Sequence, residues 1–100
     1  MIRHIVMWRF KDSADGNSKA ENIKIAAESL YALVPKISEI KKMEIGVDVM
    51  HTAASMDMAL ITEFDTLDTL HTYAVHPEHL KVAEFMKKVT ETRVVLDSEI

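Results

Sequence analysis

The chain contains 100 residues, of which 48% are hydrophobic and 28% are charged. This size and composition are typical of one globular domain, which we expect to span residues 1–100. The net charge is −4 and the longest basic runs are pairs, so we expect no nucleic-acid partner and no polybasic membrane anchor. Cysteine is absent, which excludes disulfides, a thiolate nucleophile and cysteine-ligated metal sites.

We expect no export signal in the N-terminal segment. Residues 1–11 are largely apolar, but Arg3, His4 and Arg9 interrupt them, so they lack the apolar core of a signal peptide. No stretch approaches the ~20 apolar residues that a membrane helix needs. We therefore expect a cytoplasmic protein without a membrane partner.

The first predicted element is a strand over residues 2–11. Its side chains alternate between two faces, with His4, Val6, Trp8 and Phe10 on one and Ile5, Met7 and Arg9 on the other. Both sets contain large apolar side chains, whereas a strand with one wet face has polar residues on that face. The sequence therefore predicts a sheet that is covered on both faces here.

A helix is predicted after a loop over residues 12–17. Ser18 followed by Glu21 forms a capping-box pattern, which marks a helix start. The predicted buried face consists of apolar residues at helical spacing, Ile23, Ala27, Leu30 and Val34. Pro35 is expected to end this helix.

The second and third strands are predicted over residues 38–50 and 58–64. Gly46 in the second strand indicates a bulge or a close backbone approach. The third strand is the clearest, because its side chains alternate between two sets, Met58, Leu60, Thr62 and Phe64 on one face and Ala59, Ile61 and Glu63 on the other. Residues 51–57, between the two strands, are predicted to form a polar loop.

Two helical segments and a last strand complete the prediction. Asp65 or Thr66 is expected to cap a short helix that runs to about Ala74. Pro77 suits the first turn of a second helix over residues 77–89. The final strand is expected over residues 92–99.

The order of these elements is that of a ferredoxin-like βαββαβ fold, an α+β class. It predicts a four-stranded antiparallel sheet with the helices on one face. Simple alternation assigns an apolar set to the other face, namely Ile5, Met7, Ala59, Ile61 and Val95. A second copy of the same sheet is the simplest cover for this set, which predicts a homodimer.

Four segments, taken in order, carry a family pattern: residues 1–11, 60–67, 70–79 and 93–97. The most distinctive segment contains Tyr73 and the run His76-Pro77-Glu78-His79. Together they resemble the stress-responsive α/β-barrel domain family over nearly the whole chain. The first helix matches least, because Lys36 stands where the family often has glycine. The resemblance implies a dimeric α+β barrel in which two sheets face each other.

The resemblance implies several activities and settles none. Most members have no assigned activity, and proteins of similar fold include monooxygenases, dismutases and decarboxylases, some of them haem-dependent. One plant member closes a linear polyketide by an aldol condensation, with a histidine, a preceding tyrosine and a histidine on the first strand. The matching positions here are His79, Tyr73 and His4, and His76 also matches the motif.

His79 is the predicted general base. A neutral imidazole accepts a proton near pH 7, and the start of a helix disfavours the positively charged form. Tyr73 is the predicted hydrogen-bond donor to a carbonyl oxygen. Both residues also have a purely structural interpretation. In that interpretation His79 packs against Trp8 or forms a hydrogen bond with the helix end, and Tyr73 is a half-buried aromatic side chain with its hydroxyl in water.

The remaining candidates are supporting residues. His4 is expected to orient another histidine or a ligand, or to be a satisfied core residue. His76 precedes Pro77 and is also expected to cap that helix. Asp97 is expected to pair with Arg93 or Lys42 or to shape a pocket wall. The predicted substrate-binding side chains are Trp8, Phe10, Leu30, Met86 and His76.

Two functions remain open at this point. The first is an enzyme acting on a hydrophobic carbonyl or polyketide-like compound, with cyclase-like, lyase-like or monooxygenase-like chemistry and no cofactor. The second is a non-catalytic homodimer that binds a small apolar molecule or another protein, with a role in a stress response that the family resemblance implies. His4, His76 and His79 could in principle supply three nitrogen ligands, but such a site needs directed geometry and a second shell that a sequence does not show, so no metal is predicted.

Overall fold

A computed structural model describes residues 1–100 as a four-stranded antiparallel sheet with helices on one face. The elements, in chain order, are β1 (Ile2–Phe10), β2 (Ser13–Ala14), β3 (Asn17–Ser18), α1 (Lys19–Tyr31), β4 (Lys42–Val47), β5 (Met58–Phe64), α2 (Leu67–Ala74), α3 (Pro77–Val89) and β6 (Thr90–Glu99). The strand order across the main sheet is β4-β5-β1-β6. This is the predicted ferredoxin-like α+β fold. No helix combines the length and apolar character needed to cross a bilayer.

Local capping sets the helix starts, as the sequence predicts. The Ser18 hydroxyl accepts a hydrogen bond from the Glu21 amide at 3.2 Å. Thr66 forms a reciprocal capping box with Thr69 at the start of α2. Each of these bonds satisfies an amide that the helix itself leaves unpaired, so the starts follow from a few neighbouring residues.

The core lies between the inner face of the sheet and the helices. It contains side chains from β1, β5 and all three helices, among them Val6, Phe10, Leu60, Phe64, Ala26, Leu30, Tyr73, Met86 and Val89. Burial of a large apolar side chain contributes about 1.5–3 kcal/mol, so this layer holds the helices onto the sheet.

The first helix differs from its prediction. Its buried residues are Asn22, Ala26 and Leu30, while Val34 is 42% exposed. The helix ends at Tyr31, ahead of Pro35, so Val34 lies outside it. Ile23 and Ala27 only flank the core.

The segment predicted as a loop over residues 12–17 contains a short hairpin, in which β2 pairs with β3. Asn22 is a polar residue that is buried on α1, and its contact with this hairpin accounts for the burial. Its side-chain amide donates to the Ala14 carbonyl at 3.0 Å and fastens the hairpin to the helix. This bond compensates the burial of the NH2 group, while the Oδ1 atom of Asn22 is buried without a partner.

The second strand is shorter than predicted, because β4 covers Lys42–Val47. Ile40 is buried just before the strand, and Val49 is 83% exposed beyond it. Gly46 pairs regularly with Ala59, without a bulge, and a Cβ added there meets no atom within 4 Å. The prediction of a bulge or close approach at Gly46 is therefore wrong.

The outer face of the sheet is apolar and uncovered in the single chain. It includes Ile5 and Met7 on β1, Ala59 and Ile61 on β5, and Val94 and Leu96 on β6. Val95 was predicted on this face, but it pairs with Val6 and therefore faces the helices. The predicted face of β6 is therefore off by one residue, because the alternation within a strand does not determine its register against the neighbouring strand. Leu96 is 60% exposed.

Candidate functional site

A cavity of about 900 Å³ lies between the helix side of the sheet and the helices α2 and α3. It forms where the helices leave part of β6 uncovered, so it has an open side. Apolar side chains make up most of its wall, including Val6, Trp8, Leu30, Leu60, Val82 and Met86. Its polar side chains include His4, Tyr73, His79, Arg93 and Asp97. Such a mixture suits a small, largely apolar ligand with a few polar groups.

Four elements bring the central polar side chains together. His4 lies on β1 directly opposite Asp97 on β6, in register. Tyr73 lies in the last turn of α2, and His79 lies in the first turn of α3. Only two residues separate these helices, so the short connection holds the two rings side by side, with 4.3 Å between their centroids.

The side chain of His79 has one ring nitrogen engaged and one free. Its Nδ1 lies 3.0 Å from the carbonyl oxygen of Ala74. A carbonyl oxygen only accepts, so Nδ1 carries the proton and donates it. In the neutral ring the lone pair is therefore on Nε2, which is the nitrogen that can take a proton from a ligand.

Burial lowers the pKa of His79 below its usual value of 6.5. The hydrogen bond to Ala74 acts in the opposite direction, and the nearby His4 and Arg93 lower the pKa further. The neutral imidazole is consequently the favoured form near pH 7, as a general base requires.

Tyr73 is almost completely buried, with 1% of its surface exposed. Its ring contacts Phe64, with centroids 5.0 Å apart, and lies edge-on to His4 at 6.5 Å. Its hydroxyl group has no hydrogen-bond partner in the chain. Burial raises the pKa of Tyr73 to about 12, so the hydroxyl stays protonated and can donate a hydrogen bond at neutral pH.

His4 and Asp97 form a hydrogen-bonded pair across β1 and β6. Nδ1 of His4 bonds to Oδ1 of Asp97, and the His4 side chain is 12% exposed. The carboxylate fixes the orientation of the ring and leaves Nε2 of His4 unpaired. The predicted pairing of Asp97 with Arg93 or Lys42 is wrong, because the antiparallel register places His4 opposite it. Its predicted place in the cavity wall agrees with the structure.

The structure separates the predicted binding residues into two groups. Trp8, Leu30 and Met86 line the cavity. Phe10 does not, because it is 1% exposed and packed within the core, beside the register shift at the end of β1. His76 also lies outside the cavity wall, since its Nδ1 accepts a hydrogen bond from the Glu78 amide and caps α3.

The polar cavity residues that were not predicted from the sequence include His71 on α2 and Arg93 on β6. Arg93 shares the face of Val95 and Asp97 by alternation, but only the register against β1 shows which face borders the cavity. Of the three histidines considered as metal ligands, His76 does not line the cavity with the other two, and each of the three uses its Nδ1 in a hydrogen bond, with Asp97, the Glu78 amide or Ala74. No group of three or more histidine, cysteine, aspartate or glutamate side chains is arranged to hold a metal ion.

Solved structures with the same fold cover almost the whole chain. A dimeric protein of unknown function from Bacteroides fragilis NCTC 9343 is 33% identical, with a TM-score of 0.86 over 99% of this chain and 95% of that one. A dimeric ferredoxin-like protein of unknown function from Thermobifida fusca YX is 24% identical, with a TM-score of 0.85 over 99% and 90%. These similar structures are dimers.

A hydroxynitrile lyase from Passiflora edulis also has this fold, at 22% identity and a TM-score of 0.84 over 99% of this chain and 92% of that one. No curated protein matched the chain. The model of the stress responsive A/B barrel domain matches residues 2–100. Because this match covers the entire fold, the chain belongs to the stress responsive A/B barrel domain (Dabb) family.

Proposed function

We propose that this protein is a cofactor-independent acid–base enzyme that acts as a lyase or cyclase on a small hydrophobic carbonyl compound. One observation carries the proposal. The free Nε2 of a neutral His79 lies on a ring that packs against Tyr73, whose buried hydroxyl has no partner, in an apolar cavity.

The chemistry follows from these two groups. Nε2 of His79 takes a proton from the carbon next to a carbonyl group, and the electron pair of that C–H bond moves onto the carbonyl oxygen. The Tyr73 hydroxyl donates a hydrogen bond to the oxygen as its negative charge develops. His79 becomes an imidazolium and returns the proton in the second half of the reaction.

His4 acts as a positioning residue in this scheme. Its hydrogen bond to Asp97 holds the ring in one orientation, so its unpaired Nε2 can accept a hydrogen bond from a ligand hydroxyl. The ring of His4 lies 6.5 Å from that of Tyr73, which is close enough for both to contact one small molecule.

Lyase chemistry is the first reaction class to test. The Passiflora edulis protein of the same fold is a hydroxynitrile lyase. Cleavage of a hydroxynitrile needs a base to remove the hydroxyl proton. The bond to the nitrile carbon then breaks, its electron pair leaves with cyanide, and a carbonyl group forms. The protonated base returns its proton to the cyanide as hydrogen cyanide. A neutral histidine base in an apolar cavity supports this reaction as well as an aldol closure.

The proposal includes a homodimer. The outer face of the sheet exposes Met7, Val94 and Leu96 beside Ile5 and Ile61, and one small chain does not readily leave such a face in water. Pairing of two sheets would bury this face, and the 33%-identical Bacteroides fragilis protein is dimeric.

Deuterium exchange tests the base directly. The protein is incubated with phenylacetone in heavy water, and proton NMR follows loss of the signal next to the carbonyl group. We expect His79→Asn to reduce the enzyme-catalysed rate by roughly a hundredfold or more. The asparagine amide keeps a donor near the position of Nδ1 but removes the basic nitrogen.

His51→Asn is the matched control, because His51 is exposed in a loop with a positive φ that asparagine adopts readily. It should exchange phenylacetone at the wild-type rate. Equal rates for wild type and His79→Asn would remove His79 from the base role. Binding of phenylacetone without any catalysed exchange would favour the non-catalytic ligand-binding function.

A further inference from the structure

The three arginines of the chain differ in the hydrogen bonds and ion pairs that their guanidinium groups form. Arg3 donates to Glu63 at 3.3 Å. Arg9 donates to two backbone carbonyls, those of Ala53 and Ser55, at 3.0 and 2.9 Å. Arg93 lines the cavity and has no hydrogen-bond or ion-pair partner in the chain.

The register of β6 sets the spacing between Arg93 and the His4–Asp97 pair. Arg93 pairs with Trp8, and Asp97 pairs with His4 at the other end of the same face. Residues of a strand rise about 3.3 Å each, so the Cα atoms of Arg93 and Asp97 are about 13 Å apart. Val95 lies between them and makes the intervening wall apolar.

No acidic side chain of the chain neutralises Arg93. Asp97 is bonded to His4, and Glu91, which also lines the cavity, makes no ion pair with Arg93. The charge of Arg93 nevertheless reaches the reaction centre, because it lowers the pKa of both His79 and Tyr73. A guanidinium group presents a planar fork of donors that matches a carboxylate in two parallel hydrogen bonds.

We propose that Arg93 binds a carboxylate group of the substrate, so the substrates are small apolar carbonyl compounds that carry an acidic group. This inference rests on the proposed function. The carboxylate lies at Arg93, the apolar body lies over Val95 and Trp8, and the carbonyl group lies at Tyr73 and His79. The cavity thus selects its substrate at one end and transforms it at the other.

Calorimetric titration with two matched probes tests the inference. para-Acetylbenzoate carries the carboxylate, and para-acetylbenzamide is its neutral counterpart of nearly the same shape. We expect the wild-type protein to bind the carboxylate about tenfold more tightly or better, as a charge-assisted bond of ordinary strength predicts. The preference should decline as the salt concentration rises.

Three variants assign this preference to Arg93. Arg93→Gln should bind both probes equally, and Arg93→Lys should restore part of the preference, because it keeps the charge without the fork. Lys88→Gln removes one positive charge from an exposed residue outside the cavity, and it should keep the wild-type preference. Arg93 is itself exposed, so its variants should fold, which circular dichroism and thermal unfolding verify.

Equal affinity of the wild type for both probes, no measurable binding of either probe, or a preference that survives in Arg93→Gln would each overturn the inference. Exchange of the acetyl protons of both probes into heavy water separates this inference from the proposed function. Exchange that depends on His79, without a carboxylate preference, overturns the role of Arg93 alone. A carboxylate preference without exchange leaves the role of Arg93 intact and overturns the proposed catalysis.

Discussion

Nδ1 of His79 lies 3.0 Å from the carbonyl oxygen of Ala74, the last residue of the preceding helix. This single bond joins the end of α2 to the start of α3 and fixes the tautomer of the imidazole. It uses a carbonyl that the end of a helix leaves unpaired, so the position of the base follows from the way in which the two helices meet.

The stability of the protein should depend on pH through His79. Its folded-state pKa lies below 6.5, so the unfolded chain binds the proton first as the pH falls. The free energy of unfolding therefore declines as the pH falls through about 6.5 toward the folded-state pKa. His79→Asn should show a shallower decline over this interval. His4, His76 and Arg93, which also act on the pKa of His79, are present in both proteins.

Urea denaturation at a series of pH values from neutral to mildly acidic measures both curves. The difference in the free energy of unfolding between wild type and His79→Asn should be constant above the unfolded-state pKa of histidine and should change only below it. A wild-type curve that is parallel to the variant curve, or flatter, would show that burial does not depress the pKa of His79.

Tyr73→Phe should separate stability from activity. The buried hydroxyl has no partner, so its removal relieves a desolvation cost, and we expect the free energy of unfolding to rise by about 1 kcal/mol. Activity on the carbonyl substrate should fall by roughly a hundredfold, because the donor to the developing negative charge is lost. Chemical denaturation and the exchange rate of phenylacetone give the two values. A destabilised variant with full activity would reverse both expectations.

Asp97→Asn tests the positioning role of the pair with His4. The neutral amide no longer holds the imidazole as a carboxylate does, so we expect kcat to fall by about tenfold or more while KM changes little. The Asp97 side chain is 40% exposed, so stability should change by less than about 1 kcal/mol. Glu99→Gln, on the same strand but outside the cavity, is the control. A change confined to KM would assign Asp97 to substrate binding instead.

Leu96→Glu tests the assembly. A carboxylate at this position of the outer sheet face would be buried without a partner in the paired sheets. Sedimentation velocity at micromolar concentration should show a dimer for wild type and a monomer for Leu96→Glu. Val75→Glu introduces the same charge at an exposed apolar residue next to α2, and it should remain dimeric. Identical dimeric profiles for wild type and Leu96→Glu would place the interface elsewhere.

The sequence predicts those parts of the fold that depend on neighbouring residues. The starts of the helices follow from Ser18, Thr66 and Pro77, because a cap or a proline acts within one turn. The strand over residues 58–64 follows from its own alternation. The resemblance in the segment from Tyr73 to His79 also marks the two residues whose rings are in contact.

The parts that depend on register could not be predicted. Val95 was assigned to the wrong face, and the pairing of Asp97 with His4 was missed, because both follow from how β6 lies against β1. The burial of Asn22 depends on a hairpin that local sequence patterns do not show. Arg93 was likewise not identified, since its lack of a partner is visible only once all other side chains are placed.

The protonation of the His79 ring is the property on which the proposed catalysis depends most. Long-range proton–nitrogen NMR spectra across a pH titration report both the tautomer and the pKa of this ring. We expect a neutral ring with the proton on Nδ1 and a midpoint below 6.5. A proton on Nε2, or a midpoint above 6.5, would contradict the assignment of His79 as the base.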